Sequence, residues 1–143
     1  VDTMPADGRA SFVDPNEGVP RYVPVDGSSM GLTLISPASS KLVNSMFGEF
    51  QSPSSAIVLH PDDAAARGLQ AGMDVRVTSA VGSIVVSLEV NDDTRPGVAV
   101  MLKGVWLRHH ADGRGVNTLT PATGDALVNG ACFNDTFVHI TPA

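Results

Sequence analysis

The stretch DVRVTSAVGSIVVSLEV, residues 74–90, decides the fold class because apolar and polar side chains alternate along it. Aliphatic residues occupy every second position in both halves, namely Val75, Val77, Ile84, Val86, Leu88 and Val90. Alternation with period two is typical of a β-strand that buries one face. The turn at 80–82, between Ala80 and Gly82, separates the two halves, so the stretch predicts a β-hairpin.

Outward from this hairpin, short apolar runs predict further strands on both sides. They are LTLIS at 32–36, AIVLH at 56–60, VAVML at 98–102 and DTFVHI at 135–140. Between the second of these runs and the hairpin, HPDDAAARGL predicts a helix that begins at Pro61 and ends at Gly68. Asp62 and Asp63 face the positive end of its dipole.

A second helix is predicted after the first strand. Pro37 suits a first helical turn, Gly48 suits a stop, and apolar residues recur between them at helical spacing. Two or three short helices among five to seven strands favour a mainly β fold. A small closed barrel is favoured over a sandwich, because the helices interrupt the strands and must cover open ends.

The composition fits one globular domain and excludes several classes of function. The chain has 143 residues, of which 43% are hydrophobic, and its net charge of −6 argues against binding to nucleic acid. No apolar run approaches the length of a membrane span, so no membrane insertion is expected. Residues 1–31 are rich in Pro and Gly and predict an extended arm or linker from the preceding part of a larger protein, and residues 32–143 are predicted to form the barrel domain. The compartment is not indicated, and a cytoplasmic location is favoured.

Polar residues cluster in three stretches that follow or precede predicted strands. Ser36, Ser39 and Ser40 surround Pro37, the stretch 117–120 supplies Asn117 and Thr120, and Phe133 with Asn134 precedes the last strand. Hydroxyls and free N–H groups at a helix start bind anions, but they also serve as ordinary caps. Amides and hydroxyls in the second and third stretches suit either the edge of a heterocycle or turn formation.

A basic loop at 103–115 stands out on this acidic chain. It contains Lys103, Arg108 and Arg114 together with Trp106, the only tryptophan. Such a loop indicates an anionic partner, with a solvated loop as the alternative. The adjacent His109 and His110 do not suit a metal site, because neighbouring rings rarely reach one ion. No nucleotide-binding glycine motif or nucleophile elbow occurs, so no catalytic or metal-binding residue is predicted.

Taken together, three stretches resemble the C-terminal molybdopterin (guanine) dinucleotide-binding domain of molybdopterin oxidoreductases, the superfamily of formate dehydrogenase, nitrate reductase and dimethyl sulfoxide reductase. They are LISPASSKLVNSMFGEF, HPDDAAARGLQAGMDVRVTSAVG with the RPG that follows, and GVNTLTPATGDALVNGACFNDTFVHI. The resemblance implies a double-psi β-barrel. It also implies cofactor-binding roles for Ser36, Pro37, Ser39, Ser40, Asn44, Ser45, Asn117, Leu119, Thr120, Phe133 and Asn134.

The same resemblance implies that the parent enzyme holds molybdopterin guanine dinucleotide, usually as two copies around molybdenum or tungsten. The isolated fragment is expected to lack this cofactor and to be inactive as an oxidoreductase. Its partners are the remaining domains of the parent. Cys132 is not at the metal-ligating position of such enzymes.

Two other hypotheses remain open at this point. One is a free-standing double-psi barrel that recognises proteins, of the type found at the N-terminus of some AAA ATPases. The other is a pyruvoyl-type decarboxylase on the same barrel, which needs a self-cleaving Gly-Ser bond; such pairs occur at Gly27–Ser28 and Gly82–Ser83.

Overall fold

A computed structural model describes residues 31–50, 54–124 and 130–143. The predicted arm at 1–31 lies outside these residues except for Gly31. The described residues form six strands, β1 Leu32–Ile35, β2 Ile57–Leu59, β3 Asp74–Thr78, β4 Ser83–Val90, β5 Val98–Val100 and β6 Thr136–Pro142. They also form one α-helix, α1 Pro61–Ala66, and two 3-10 helices, η1 Leu107–His109 and η2 Val116–Thr118.

The six strands close into a barrel in the order β1-β5-β2-β4-β3-β6. Two neighbouring pairs, β1 with β5 and β2 with β4, are parallel, and the other pairs are antiparallel. The predicted hairpin is confirmed, with Asp74 opposite Ser87 and Thr78 opposite Ser83. The closed mainly β architecture expected from the sequence is therefore confirmed.

Alternation along the strands fills the barrel with aliphatic side chains. Val75, Val77, Ile84 and Leu88 are at most 1% exposed, whereas their neighbours Arg76 and Ser87 point to solvent. Leu34, Ile57, Leu59, Ala99 and Val138 complete the same cluster from the other strands. Burial of each large side chain stabilises the folded state by about 1.5–3 kcal/mol, so this cluster is the main stabilising feature of the fold.

Helix α1 forms as predicted, with Pro61 in its first turn. Its start is capped by the His60 Nδ1 atom, which accepts a hydrogen bond from the Asp62 N–H at 3.1 Å. At its end Gly68 adopts a φ of 66°, and the Leu69 N–H donates to the Ala64 carbonyl at 2.9 Å. This is the Schellman arrangement, in which a left-handed glycine stops the helix and the next apolar residue packs back.

The second predicted helix is wrong. Residues 40–50 form a series of turns, in which Asn44 and Phe47 have φ values of 53° and 68°. Of the apolar residues at helical spacing, Leu42 is buried, but Val43 and Met46 are about 60% exposed (58% and 60%). The segment instead continues beside the extension of β5, where Ala38 forms a bridge with Lys103. Tertiary pairing has overridden a weak local preference.

Candidate functional site

Strand register brings the predicted polar stretches to one end of the barrel. Because β1 and β5 are parallel and β6 is antiparallel to β1, the carboxyl ends of β1 and β5 meet the amino end of β6. The β3–β4 turn lies at this same end, since β3 is antiparallel to β6. We call this the site end of the barrel.

The pairing of β1 and β5 continues beyond the strands themselves. The Met101 N–H donates to the Ile35 carbonyl at 3.1 Å, and the Lys103 N–H donates to the Pro37 carbonyl at 3.0 Å. These bonds fix Ser36 beside the chain that leads into the basic loop. The position of Lys103 at the site is therefore set by backbone pairing.

A first cavity of about 260 Å³ lies where these segments meet. It is lined by Ser36, Lys103, Asn117, Thr120, Pro121, Ala131 and Phe133. Ser36 is 4% exposed, and its Oγ atom has no hydrogen-bond partner among the described residues. The Lys103 Nζ atom lies 5.1 Å from the centroid of the Phe133 ring. The cavity thus combines a cation, an unpaired buried hydroxyl and an aromatic face.

A second cavity of about 550 Å³ shares Asn117 with the first. Its other walls include Ser45, Trp106, His110, Arg114 and Thr118. Asn117 is exposed on η2, so its amide is accessible from both cavities. Each volume is within or close to the range of small-molecule sites, and together they suit an elongated polar ligand.

His110 is the buried titratable group of the second cavity. It is 6% exposed, and its Nδ1 atom makes no well-formed hydrogen bond with the described residues. Burial lowers the pKa of His110 below its ordinary value of 6.5, and His109 acts in the same direction, while Asp112 and the Val105 backbone oppose the shift less strongly. The imidazole is therefore neutral at pH 7 and offers one donor and one acceptor.

This shift predicts a loss of stability on mild acidification. When the pH falls below about 6.5, the unfolded chain binds a proton at this histidine before the folded chain does, so the free energy of unfolding decreases. The substitution His110→Gln should reduce this dependence of the free energy of unfolding on pH. The free energy is measured by urea unfolding between about pH 7.5 and pH 5. The matched change of the exposed His139 to Gln should leave the slope in place; equal slopes for all three proteins would contradict the assignment.

The basic loop also holds the turn that contains Asn44 and Ser45. Trp106 donates its Nε1–H to the Ser45 carbonyl at 2.5 Å. Arg108 stacks over the Trp106 ring at 4.3 Å and donates from Nη2 to the Gly48 carbonyl at 3.2 Å. Arg108 therefore supports the wall of the site, whereas Lys103 faces the first cavity.

The structure gathers some of the residues predicted for the site and places others beside it. Ser36, Asn117, Thr120 and Phe133 line the first cavity, and Ser45 lines the second. Asn134 accepts a long hydrogen bond of 3.5 Å from the Ser36 N–H. Pro37, Ser39, Ser40 and Asn44 lie in the adjoining exposed segment and line neither cavity, and the Ser39 Oγ atom accepts from the Lys41 N–H.

Leu119 differs from the other predicted residues because it is fully buried in the barrel core. Conversely, Lys103, Trp106 and His110 line the cavities although no site role was assigned to them from the sequence. In the sequence, the clustering of cations and the single tryptophan in one loop was the available indication that this loop contributes to the site. It gave no information on which of these side chains faces the ligand.

The closed barrel and its two polar cavities define a small β-barrel domain whose site end can accommodate an elongated ligand. Comparison with known proteins identifies the family to which this barrel domain belongs. The family model described as "Molydopterin dinucleotide binding domain" matches residues 32–137, and the chain belongs to this family.

Curated relatives agree with this assignment, and a solved structure shares the fold. The chain is 35% identical over 85 residues to a putative dimethyl sulfoxide reductase catalytic chain of Halobacterium salinarum, a match covering 59% of this chain and 10% of that protein. It is 40% identical over 50 residues to biotin sulfoxide reductase of Cereibacter sphaeroides, covering 35% and 7% respectively. Acetylene hydratase from Pelobacter acetylenicus has the same fold, with a TM-score of 0.68, 13% identity, and coverage of 82% of this chain and 19% of that one.

These comparisons and the strand order confirm the double-psi β-barrel. The chain spans a tenth or less of the curated relatives named above. In the described residues no helix is long and apolar enough to cross a membrane. Within those same residues, no three His, Cys, Asp or Glu side chains are grouped so that they could hold a metal ion.

Proposed function

We propose that this chain is the cofactor-binding barrel of a molybdenum or tungsten oxidoreductase and that its site end binds molybdopterin guanine dinucleotide. The observation that supports the proposal most directly is the first cavity, where Ser36, Lys103, Asn117 and Phe133 come together from distant parts of the sequence. The redox chemistry would be supplied by the metal and its dithiolenes when the cofactor is bound. The chain alone has no catalytic residue in this proposal.

The donor set of the two cavities fits a phosphorylated heterocycle. Lys103 offers a positive charge that suits a phosphate oxygen, and the unpaired Ser36 hydroxyl offers a buried hydrogen-bond donor beside it. Phe133 and Trp106 provide aromatic faces on which a flat ring can pack. The Asn117 amide can both donate to and accept from a heterocycle edge. An unpaired buried hydroxyl is costly without a ligand, and this cost supports a bound partner.

The residues of the barrel would then bind and orient the cofactor and exclude water from it. Ser36 and Lys103 would hold the charged part, while Asn117 and the neutral His110 would present hydrogen-bonding groups to the ring systems. Ser45 and Trp106 would close the outer wall. Leu119, buried below them, would fix the position of η2.

The proposal is tested in the full-length protein that contains this chain. Ser36→Ala and Asn117→Ala should each lower the molybdenum or tungsten content, and the GMP released by acid hydrolysis, by about fivefold or more, because each loses a buried or shared hydrogen bond to the ligand. Metal is measured by mass spectrometry and GMP by chromatography, so the result does not depend on enzymatic activity.

The matched control is Ser87→Ala, which removes an exposed hydroxyl from β4 outside both cavities. Its cofactor content should equal that of the wild type. Normal metal and GMP content in both site variants would overturn the proposal, as would a full-length protein that never contains GMP.

The two other hypotheses from the sequence receive less support. A protein-recognition module has no need for an unpaired buried serine beside a lysine, whereas a phosphorylated cofactor does. For the decarboxylase, Ser83 is the first residue of β4 and Gly82 lies directly against the Thr118 carbonyl, so the bond between them is part of the packed barrel. The other pair, Gly27–Ser28, lies outside the described residues.

A further inference from the structure

The turns at 43–50, which we call the strap, form part of the wall of the second cavity. Ser45 lines that cavity from the strap. The backbone closes two successive turns here. In the first, the Met46 N–H donates to the Val43 carbonyl at 3.0 Å, and the second follows over residues 47–50. The strap therefore has its own hydrogen bonds, but it belongs to no strand of the barrel.

The backbone of the strap is unfavourable, and little packing holds it. Asn44 and Phe47 have φ values of 53° and 68°, in the region that favours glycine, and for a bulky residue such as Phe47 this conformation is rare. Among the side chains of the described stretch 40–50, only Leu42 is buried, and Phe50 is 79% exposed. A backbone conformation of this kind persists only where surrounding groups enforce it.

Two side chains of the basic loop hold the strap in place, and we call them the clasp. Trp106 donates from Nε1 to the Ser45 carbonyl at 2.5 Å, and Arg108 donates from Nη2 to the Gly48 carbonyl at 3.2 Å. The Arg108 guanidinium also stacks over the Trp106 ring, 4.3 Å from its centroid. Because the two side chains position each other, we expect their hydrogen bonds to the strap to form and break together.

Fixed points lie on both sides of the strap. Before it, Leu42 is 5% exposed. After it, the Ser54 hydroxyl donates to a Glu89 carboxylate oxygen at 2.7 Å, and the Ser55 hydroxyl donates to the His109 carbonyl at 3.0 Å. Since the strap itself has few buried contacts, it can open locally at a lower cost than unfolding of the barrel. When the clasp breaks, the strap can therefore move away from the cavity while the strands stay paired.

Trp106 belongs both to the clasp and to the wall of the cavity. Its indole lines the second cavity, whereas Arg108, which covers part of the ring, does not line it. A flat ligand group that packs against the indole would restrict rotation of that side chain and shield its hydrogen bond to Ser45 from water. An occupied cavity therefore stabilises the clasp, and an empty cavity leaves the same hydrogen bond open to water.

We propose that Trp106 is a positioning residue that couples occupancy of the second cavity to closure of the strap. When the cavity is empty, the strap opens and gives access to it. When a ring system packs against the indole, the clasp stays formed and the strap is closed. The inference rests on the proposed function only for the identity of that ring system, because the clasp and the strap are features of this chain.

Hydrogen exchange in the cofactor-free full-length protein tests whether the clasp holds the strap. Exchange is read by mass spectrometry from peptides that cover residues 43–50. Trp106→Phe keeps an aromatic ring but loses the N–H donor, so the strap should exchange about fivefold or more faster than in the wild type. The matched control is Leu107→Ala, which shortens an exposed side chain in the same cavity wall. Because an apolar side chain cannot hydrogen-bond to the strap, this control should leave the rate unchanged.

Exchange of the β3–β4 hairpin, residues 74–90, is the reference for overall stability and should be the same in all three proteins. Equal strap rates in Trp106→Phe and the wild type would overturn the proposal. Faster exchange of the strap that the hairpin shares would overturn it as well, because the indole would then stabilise the whole barrel and not the strap in particular.

The coupling is tested by the same measurement on full-length protein that contains the cofactor, with occupancy scored by released GMP. Occupancy should slow exchange of the strap about tenfold in the wild type but less than about threefold in Trp106→Phe. Equal slowing in the two proteins would overturn the coupling. A full-length protein that never contains GMP would contradict the proposed function instead, and the comparison in cofactor-free protein would then decide the role of Trp106 by itself.

Discussion

Gly104→Ala is expected to unfold the wall of the site and to lower the free energy of unfolding by about 2–5 kcal/mol. Gly104 has a φ of 81°, in the region that favours glycine, and a Cβ atom there would collide with the carbonyl of Asn44. Because the obstacle is backbone on a turn held by Trp106 and Arg108, it cannot be relieved by a side-chain rotation. The turn at 43–48 must shift or detach.

The matched control lies in the same loop. Gly113 has a φ of 67°, but a Cβ atom there would meet no atom within 4 Å. Gly113→Ala should therefore cost only the conformational penalty of about 1–2 kcal/mol. Urea unfolding of both variants and the wild type measures the difference. Equal losses for the two variants would show that close contact between the basic loop and the turn does not stabilise the chain.

This contact illustrates what the sequence alone could not reveal. The period-two pattern at 74–90 and the capped helix at 61–66 are local, so their structure was readable from the residues. The helix expected over 37–47 failed because its neighbour is distant in sequence. Asn44 meets Gly104 across 60 residues, and no local preference indicates such a meeting.

The site shows the same division between local and non-local information. The residue types Ser36 and Asn117 indicated polar ligand chemistry, and the structure brings these two positions together with Phe133 in one cavity. The charge that completes the cavity comes from Lys103, whose position depends on the parallel pairing of β1 and β5. Parallel pairing of strands more than 60 residues apart has no signature in the sequence. The family resemblance, and not periodicity, linked these stretches in advance.

Leu119→Ala is expected to lower the free energy of unfolding by about 3 kcal/mol, because it leaves a cavity in the barrel core. Leu119 is 0% exposed and belongs to the main hydrophobic cluster, and its N–H donates to the Val116 carbonyl at 3.0 Å. The resemblance gave this residue a role at the cofactor, but its side chain points into the core. We therefore expect its effect on the site to arise through the position of η2, which presents Asn117.

Two comparisons separate packing from contact with the ligand. Val81→Ala also shortens an aliphatic side chain, but Val81 is 57% exposed, so its effect on stability should stay within about 0.5 kcal/mol. Asn117→Ala, at an exposed position, should leave the unfolding midpoint nearly unchanged while it lowers the GMP content of the full-length protein. Leu119→Ala should show the opposite pattern. Its free energy of unfolding should fall strongly, and its GMP content should fall only as far as the loss of folded protein accounts for. A Leu119→Ala protein of unchanged stability but without GMP would instead place this side chain at the ligand.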